Sequence, residues 1–203
     1  MTSIEAASYV IPTDEPEADG TLAWSETAMV VVRAAAGGHA GLGWTYASPA
    51  AQPVVAGMLA GIVQGRDAMD VTGCYDAMCR AVRNVGREGI AATAISAVDI
   101  ALWDLKARIM NRAVTSVIGR ARDLVPVYGS GGFTTYDSER LRKQLTGWVH
   151  DLAIPRAKIK IGESWGTRQD RDVQRVALAR EVIGPDAALY VDANGGYTIG
   201  QAV

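Results

Sequence analysis

The chain has 203 residues, 49% of them apolar, with 22 Gly and 7 Pro. Twenty basic side chains against 22 acidic ones leave a formal charge of −2. These proportions exclude a disordered or collagenous chain, and with no basic excess to drive counterion release no nucleic-acid partner is expected. The length allows one large domain or two modest ones at about 100–200 residues each. It falls short of a cap domain plus a (β/α)₈ barrel, since the barrel alone takes about 250 residues.

The first 46 residues predict an antiparallel meander. Ala7–Ile11 reads as a short strand, Pro12–Gly20 as an acidic, turn-rich loop, and Glu26–Ala36, with its Met29-Val30-Val31-Val32 run, as a second strand. Gly37-Gly38-His39-Ala40-Gly41 is a hairpin turn in this reading, and a third strand covers about Ala40–Tyr46. A helical region follows over about Ala51–Gly119, with one helix beginning at Asp70-Val71-Thr72. Its strongest helix is Ile90–Met110, where Ile95, Val98, Leu102, Leu105 and Ile109 recur at helical spacing.

The pattern changes at Leu124–Pro126. Val125–Tyr128, Ala157–Ile161 and Leu189–Asp192 read as strands, separated by helices at Asp137–His150 and about Gln169–Ile183, and Thr198 reads as the N-cap of a last helix. Strand cores begin near Val127, Lys158 and Leu189, 31 residues apart each time. A barrel of about 250 residues in eight units has a similar period, although a doubly wound sheet can share it.

Cys74 and Cys79 lack CxxC spacing, and two free thiols suit a reducing cytoplasm. Met1–Glu5 shows no basic or apolar leader segment. The longest strongly apolar stretch, Val54–Val63, is far short of the roughly 20 residues that a helix needs to span a bilayer. A soluble, cytoplasmic protein without a membrane partner is expected.

Two short stretches carry chemistry. In Ala157-Lys158-Ile159-Lys160-Ile161 alternate side chains share a face, so Lys158 and Lys160 point together. Parallel strands are normally apolar on both faces. The paired lysines therefore mark either an edge strand protected from aggregation or a site. In Tyr190-Val191-Asp192-Ala193-Asn194-Gly195-Gly196, Asp192 falls at a strand's carboxyl end, where α/β proteins bind ligands. Asp192 reads either as a metal-binding carboxylate with Asn194 as a polar substrate contact, or as an Asx turn. Two adjacent ammoniums repel, so at least one lysine is expected to be tuned toward the neutral form that a general base needs.

Lys158-Ile159-Lys160 followed by Asp192-Ala193-Asn194 resembles the KxK and DxN motifs of the mandelate racemase and muconate lactonizing enzymes of the enolase superfamily. The helix Ala94–Ala107 is similar to that family's long cap-domain helix, and the resemblance covers nearly the whole chain. It implies an α+β cap domain (antiparallel meander plus helices) over residues 1–124, and the first three strands of a TIM-type barrel over 125–203. It implies Lys160 as the proton-transferring base, Lys158 as the partner of the substrate carboxylate, Asp192 as the first Mg²⁺ ligand, and Asn194 at the polar position after it. Cap loops at about Pro12–Trp24 and Gly43–Ala47 would close over the site, with Trp24, Trp44 and Tyr46 as pocket walls or simple packing.

The implied chemistry is removal of the α-proton of a carboxylate substrate through a Mg²⁺-stabilised enediolate. Racemisation, epimerisation, loss of water and cycloisomerisation all begin this way, and acid-sugar dehydration or racemisation is the first expectation. A homo-oligomer is usual in the family. The family's other metal ligands and its second acid/base come from later strands, so the 203-residue chain is expected to be a fragment, a truncated gene product or one piece of a complemented assembly, inactive as a racemase or dehydratase alone. The rival readings are a non-catalytic remnant acting through oligomerisation, and an unrelated doubly wound protein whose lysines contact an anion. His39 and His150 read as structural. Glu163 and Trp165 in Gly162–Gly166 read as the barrel mouth or as loop packing, and Arg168, Asp170, Arg171 and Asp172 as a solvated helix start.

Overall fold

Residues 3–46 form a three-stranded sheet in the order β1-β2-β3, with β1 at Ser3–Ala18, β2 at Ala23–Ala36 and β3 at His39–Tyr46. The computed structural model describes residues 1–203. β2 and β3 are antiparallel, pairing Ala36 with His39 and Met29 with Tyr46 around the Gly37-Gly38 turn. The predicted loop Pro12–Gly20 is instead strand as far as Ala18. β1 is an edge strand, where a proline's missing N–H can face the unpaired side. The reversal is confined to Asp19–Leu22, where Asp19 Oδ1 accepts from the amides of Thr21 (2.6 Å) and Leu22 (2.9 Å).

The chain divides into two compact units. One is Met1–Pro12 with Glu26–Asp123; the other is Thr13–Ser25 with Leu124–Val203, so the tip of the first hairpin belongs to the second unit.

In the first unit β3 packs on α4 (Ile90–Ile109), which matches the predicted long helix. Ile95, Val98, Leu102 and Leu105 are buried, and Ile109 is half-buried. Gly41 and Gly43 permit the contact. A Cβ on either would fall well inside van der Waals distance of the α4 backbone at Ala101 and Leu105, or at Ala97 and Ala101. Asp104 fixes the register, since its Oδ2 accepts from the Leu42 amide (2.8 Å) and from Arg108 Nε (2.8 Å). Ala51–Val54 (α1), Ala60–Val63 (α2) and Val71–Ala81 (α3) complete this core. Asp70 caps α3 by accepting from the Gly73 amide at 2.9 Å. A short helix, α5 (Val114–Ile118), follows α4.

The second unit is a parallel sheet in the order β4-β5-β6, with β4 at Gly129–Ser130, β5 at Arg156–Lys160 and β6 at Ala188–Asp192. The first of these strands is shifted from the predicted Val125–Tyr128, whose Val125 and Val127 are exposed. Pairing with β5 begins only at Gly129, opposite Ala157, and the Trp148 ring occupies the space where a Gly129 side chain would stand. Helices α6 (Ser138–Thr146) and α8 (Gln169–Ile183) pack together beside the sheet, burying Leu141, Leu145, Ala179 and Ile183 with Ala157 and Ile159. Between β5 and α8 lies one turn, α7 (Glu163–Gly166), whose Ser164 and Trp165 are left-handed. Thr198 caps α9 (Ile199–Ala202) with a capping box, as predicted. No helix is long and apolar enough to cross a membrane.

Gly43→Ala should destabilise the first unit by about 3 kcal/mol, the upper end for overpacking, because the obstacle is helix backbone. Gly37→Ala, in open space at φ +57°, should cost only about 1–2 kcal/mol. Urea unfolding of the two variants checks the contrast.

Candidate active site

The strand Arg156–Lys160 alternates as its sequence requires. Ala157 and Ile159 face the helices and are buried, and Lys158 and Lys160 face the other way. β5 lies between β4 and β6, so the edge-strand reading of the lysines is excluded. Parallel pairing sets Lys158 opposite Tyr190 and Lys160 opposite Asp192.

Both ammoniums converge on one carboxylate oxygen. Asp192 Oδ2 accepts from Lys160 Nζ at 2.8 Å and from Lys158 Nζ at 3.1 Å. The lysine side chains are only 12% and 19% exposed. Lys160 Nζ also donates to Asn194 Oδ1 at 2.7 Å. Asp192 Oδ1 accepts from the Asn194 amide at 3.0 Å, an Asx turn that holds Asn194 at φ 49°. The two sequence readings of Asp192 and Asn194 are thus compatible, because the turn aims the amide side chain at Lys160. The expected repelling pair of lysines is instead a triad, with Asp192 as an anion bridging both side chains. Its hydrogen bond from Lys160 outweighs the opposing effect of burial and holds its carboxyl down at about 2. On the flank, Lys158 Nζ sits 5.8 Å from the centre of the Tyr128 ring, which meets Tyr190 edge-on.

The hairpin tip lies over these strand ends. A Cβ on Gly20 would stand 2.7–2.8 Å from the carbonyl oxygens of Ala193, Gly162 and Ile161, so only glycine fits. Gly20 O accepts from the Trp165 amide (2.9 Å), and the Thr134 amide donates to Ala18 O (2.8 Å). Burial pushes the Asp19 carboxyl up, but amide hydrogen bonds from Leu22 and Thr21, aided by the nearby Lys160 charge, leave it lowered. A cavity of about 410 Å³ beside the tip is lined by Asp19, Thr21, Thr134, Glu163, Trp165 and Arg171.

Trp24 does not join the lysine cluster. Its Nε1 donates to Glu17 Oε2 at 2.9 Å and its ring meets Phe133 edge-on, so it packs the hairpin. Tyr46 ends β3 in the other unit and is 65% exposed.

The predicted solvated start of α8 needs correction at Asp172, which is 3% exposed. Its Oδ2 accepts from the Gly162 amide (2.9 Å) and from the Tyr197 hydroxyl (2.7 Å). Asp172, Arg175, Ala179 and Ile183 are the buried positions of α8. That helical spacing was the available signal for an inward-facing acid.

The chain contains no group of three or more His, Cys, Asp or Glu side chains able to hold a metal ion. Asp192 offers one carboxylate, already engaged on both oxygens. Mg²⁺ prefers octahedral oxygen coordination, so the residues of this chain do not make a magnesium site by themselves.

Residues 4–119 match the model of the mandelate racemase / muconate lactonizing enzyme N-terminal domain, and residues 140–203 match the enolase C-terminal domain-like model. A mandelate racemase/muconate lactonizing enzyme-like protein from Rubrobacter xylanophilus superposes with a TM-score of 0.95 at 47% identity, over 99% of this chain and 55% of that one. A racemase from Streptomyces coelicolor, solved with bound magnesium, gives 0.89 at 32% identity, over 99% of this chain and 57% of that one. The D-galactarolactone cycloisomerase of Agrobacterium fabrum is 33% identical over 80% of this chain and 43% of its own length. Other curated relatives are arabinonate and L-talarate/galactarate dehydratases. The chain spans about half the length of the curated relatives it matches.

Asp192 carries a stability prediction. Its folded pKa lies below the ordinary 3.8, so its contribution is complete above that value and is lost as pH falls through about 2. Allowing for solvent screening of a partly exposed pair, this contribution is on the order of 1 kcal/mol. Acid titrations of unfolding free energy should show wild type losing that much more than Asp192→Asn between about pH 5 and about pH 2.

Proposed function

Because this chain belongs to the mandelate racemase / muconate lactonizing enzyme family, we propose that it supplies the proton-abstracting face of an enzyme acting on a small carboxylate, of the acid-sugar class. The observation that carries this reading is the convergence of Lys158 and Lys160 on Asp192 at the carboxyl ends of parallel strands.

The Lys158 ammonium draws in the substrate carboxylate by charge. The free-base form of Lys160 removes the proton from the adjacent carbon, and the electron pair moves into the carboxylate to give an enediolate. Lys158, in a site where few side-chain atoms reach water, stabilises the added negative charge far better than an exposed lysine would. Asn194 holds Lys160 in line, and Asp192 keeps the two lysine side chains together. From the enediolate, return of a proton on the opposite face is racemisation, and loss of a β-hydroxyl as water is dehydration. The names of the curated dehydratases favour dehydration of an acid sugar. The Agrobacterium relative favours cycloisomerisation as a second reading, with the same first step. Asp192 would also be the carboxylate that this chain brings to a magnesium ion, and no step above passes through the metal.

The test is α-proton exchange into D₂O, followed by ¹H NMR on a panel of aldonates and aldarates. It is run with the chain alone and with the chain joined to the second half of a relative's barrel. The joined protein should exchange and the chain alone should not. Lys160→Ala should lower the exchange rate by about 10³-fold, the usual worth of a general base. Lys158→Ala should both raise KM and lower the exchange rate, because the ammonium binds the carboxylate and takes up the charge that grows on it. Exchange that survives Lys160→Ala would remove the reading.

A further inference from the structure

The start of α8 carries two buried ions, and both reach backbone next to Lys160. Asp172 and Arg175 are three residues apart, on one face of the helix, and are 3% and 7% exposed. Arg175 donates to three carbonyl oxygens of the segment after β4: Gly132 (2.9 Å), Phe133 (2.5 Å) and Tyr136 (3.0 Å). The Gly132 oxygen is also the acceptor for the Lys160 amide at 3.0 Å. Arg175 therefore grips the same atom that holds the lysine's own backbone. Asp172 acts on the other side. Its Oδ2 takes the amide of Gly162, two residues past Lys160, and the hydroxyl of Tyr197, five residues past Asp192. One helical turn thus reaches the segments that follow β4, β5 and β6.

A plain fastening of helix to sheet would not be built this way. Ala179 and Ile183 already fasten α8 to the sheet through apolar contact. Asp172 Oδ1 and Arg175 Nε are buried with no hydrogen-bond partner in the chain. Buried ions satisfied by halves are poor sources of stability. They are good sources of direction, because a carboxylate oxygen and a planar guanidinium fix where their partners stand.

We propose that Asp172 and Arg175 are positioning residues, which set the backbone on both sides of Lys160 and so keep its ammonium within reach of Asp192 and Asn194. The proposal rests on the reading of Lys160 as the base. Tyr197 supplies an optical report of the contact: burial, then the hydrogen bond and charge of Asp172, push its hydroxyl up to about 12.

The test uses the 203-residue chain and no turnover. Brief acetylation with acetic anhydride, read by mass spectrometry, gives the reactivity of Lys160 relative to Lys158. Asp172→Ala and Tyr197→Phe should each raise that ratio, Asp172→Ala by about threefold or more, the worth of one net hydrogen bond. Asp172→Asn keeps an acceptor oxygen and should restore a ratio near wild type, while its Tyr197 titrates closer to the ordinary 10.0. Val182→Ala weakens the packing of α8 without touching either ion, and should leave the ratio unchanged. If Asp172→Ala does not fold, Tyr197→Phe decides, since it removes a single oxygen from a half-buried ring. An unchanged ratio in the variants that fold, or an equal rise in Val182→Ala, overturns the proposal. Failure of the functional reading shows separately, as α-proton exchange indifferent to Lys160→Ala, and leaves the labelling result able to decide.

Discussion

One carboxylate between two ammoniums organises the second unit. Asp192 lies at the carboxyl end of β6, and Lys158 and Lys160 on the central strand beside it both point at its Oδ2. Two lysines on the buried middle strand of a parallel sheet would repel each other and lose solvation. The bridging anion offsets both effects and needs only the ordinary register of parallel pairing to arrive there. A substrate carboxylate brought to the same cations would compete with Asp192 for them, so the arrangement both stores and offers positive charge.

The surroundings serve that triad by controlling backbone. The Asx turn at Asp192 orients Asn194, Gly20 lets the hairpin tip lie flat on three carbonyls, and α8 reaches in with Asp172 and Arg175. Where these segments meet, most contacts have a backbone amide or carbonyl as one partner. A site assembled from backbone is stiff, because moving one strand end requires several hydrogen bonds to break together.

The lysine face and the long helix could be read from the sequence because each follows from a local period: two residues in Ala157–Ile161, and about 3.6 in Ile90–Met110. The turn at Asp192–Gly195 was visible in its residue types. Other features depend on partners distant in the chain. Val125–Tyr128 has strong strand character, yet the strand starts at Gly129, because Trp148 and the register with Ala157 decide. Pro12–Ala18 has turn composition, but an edge strand tolerates prolines. Asp172 sits in a run of charges that reads as a wet helix start. Only Gly162 and Tyr197, brought to it by the fold, make its burial tolerable.

The glycines of β3 impose a rule of parity on the first unit. Gly41 and Gly43 turn toward α4, while Leu42 and Trp44, on the alternate positions, are exposed. A shift of one residue along the strand would exchange the two sets and press leucine and tryptophan against helix backbone that has no room even for a methyl group. The two-residue turn at Gly37-Gly38 is therefore a counting device. An insertion there that passed into the pairing, rather than being taken up as a longer loop, would change the contact between strand and helix from close to impossible, while leaving the composition of both elements untouched.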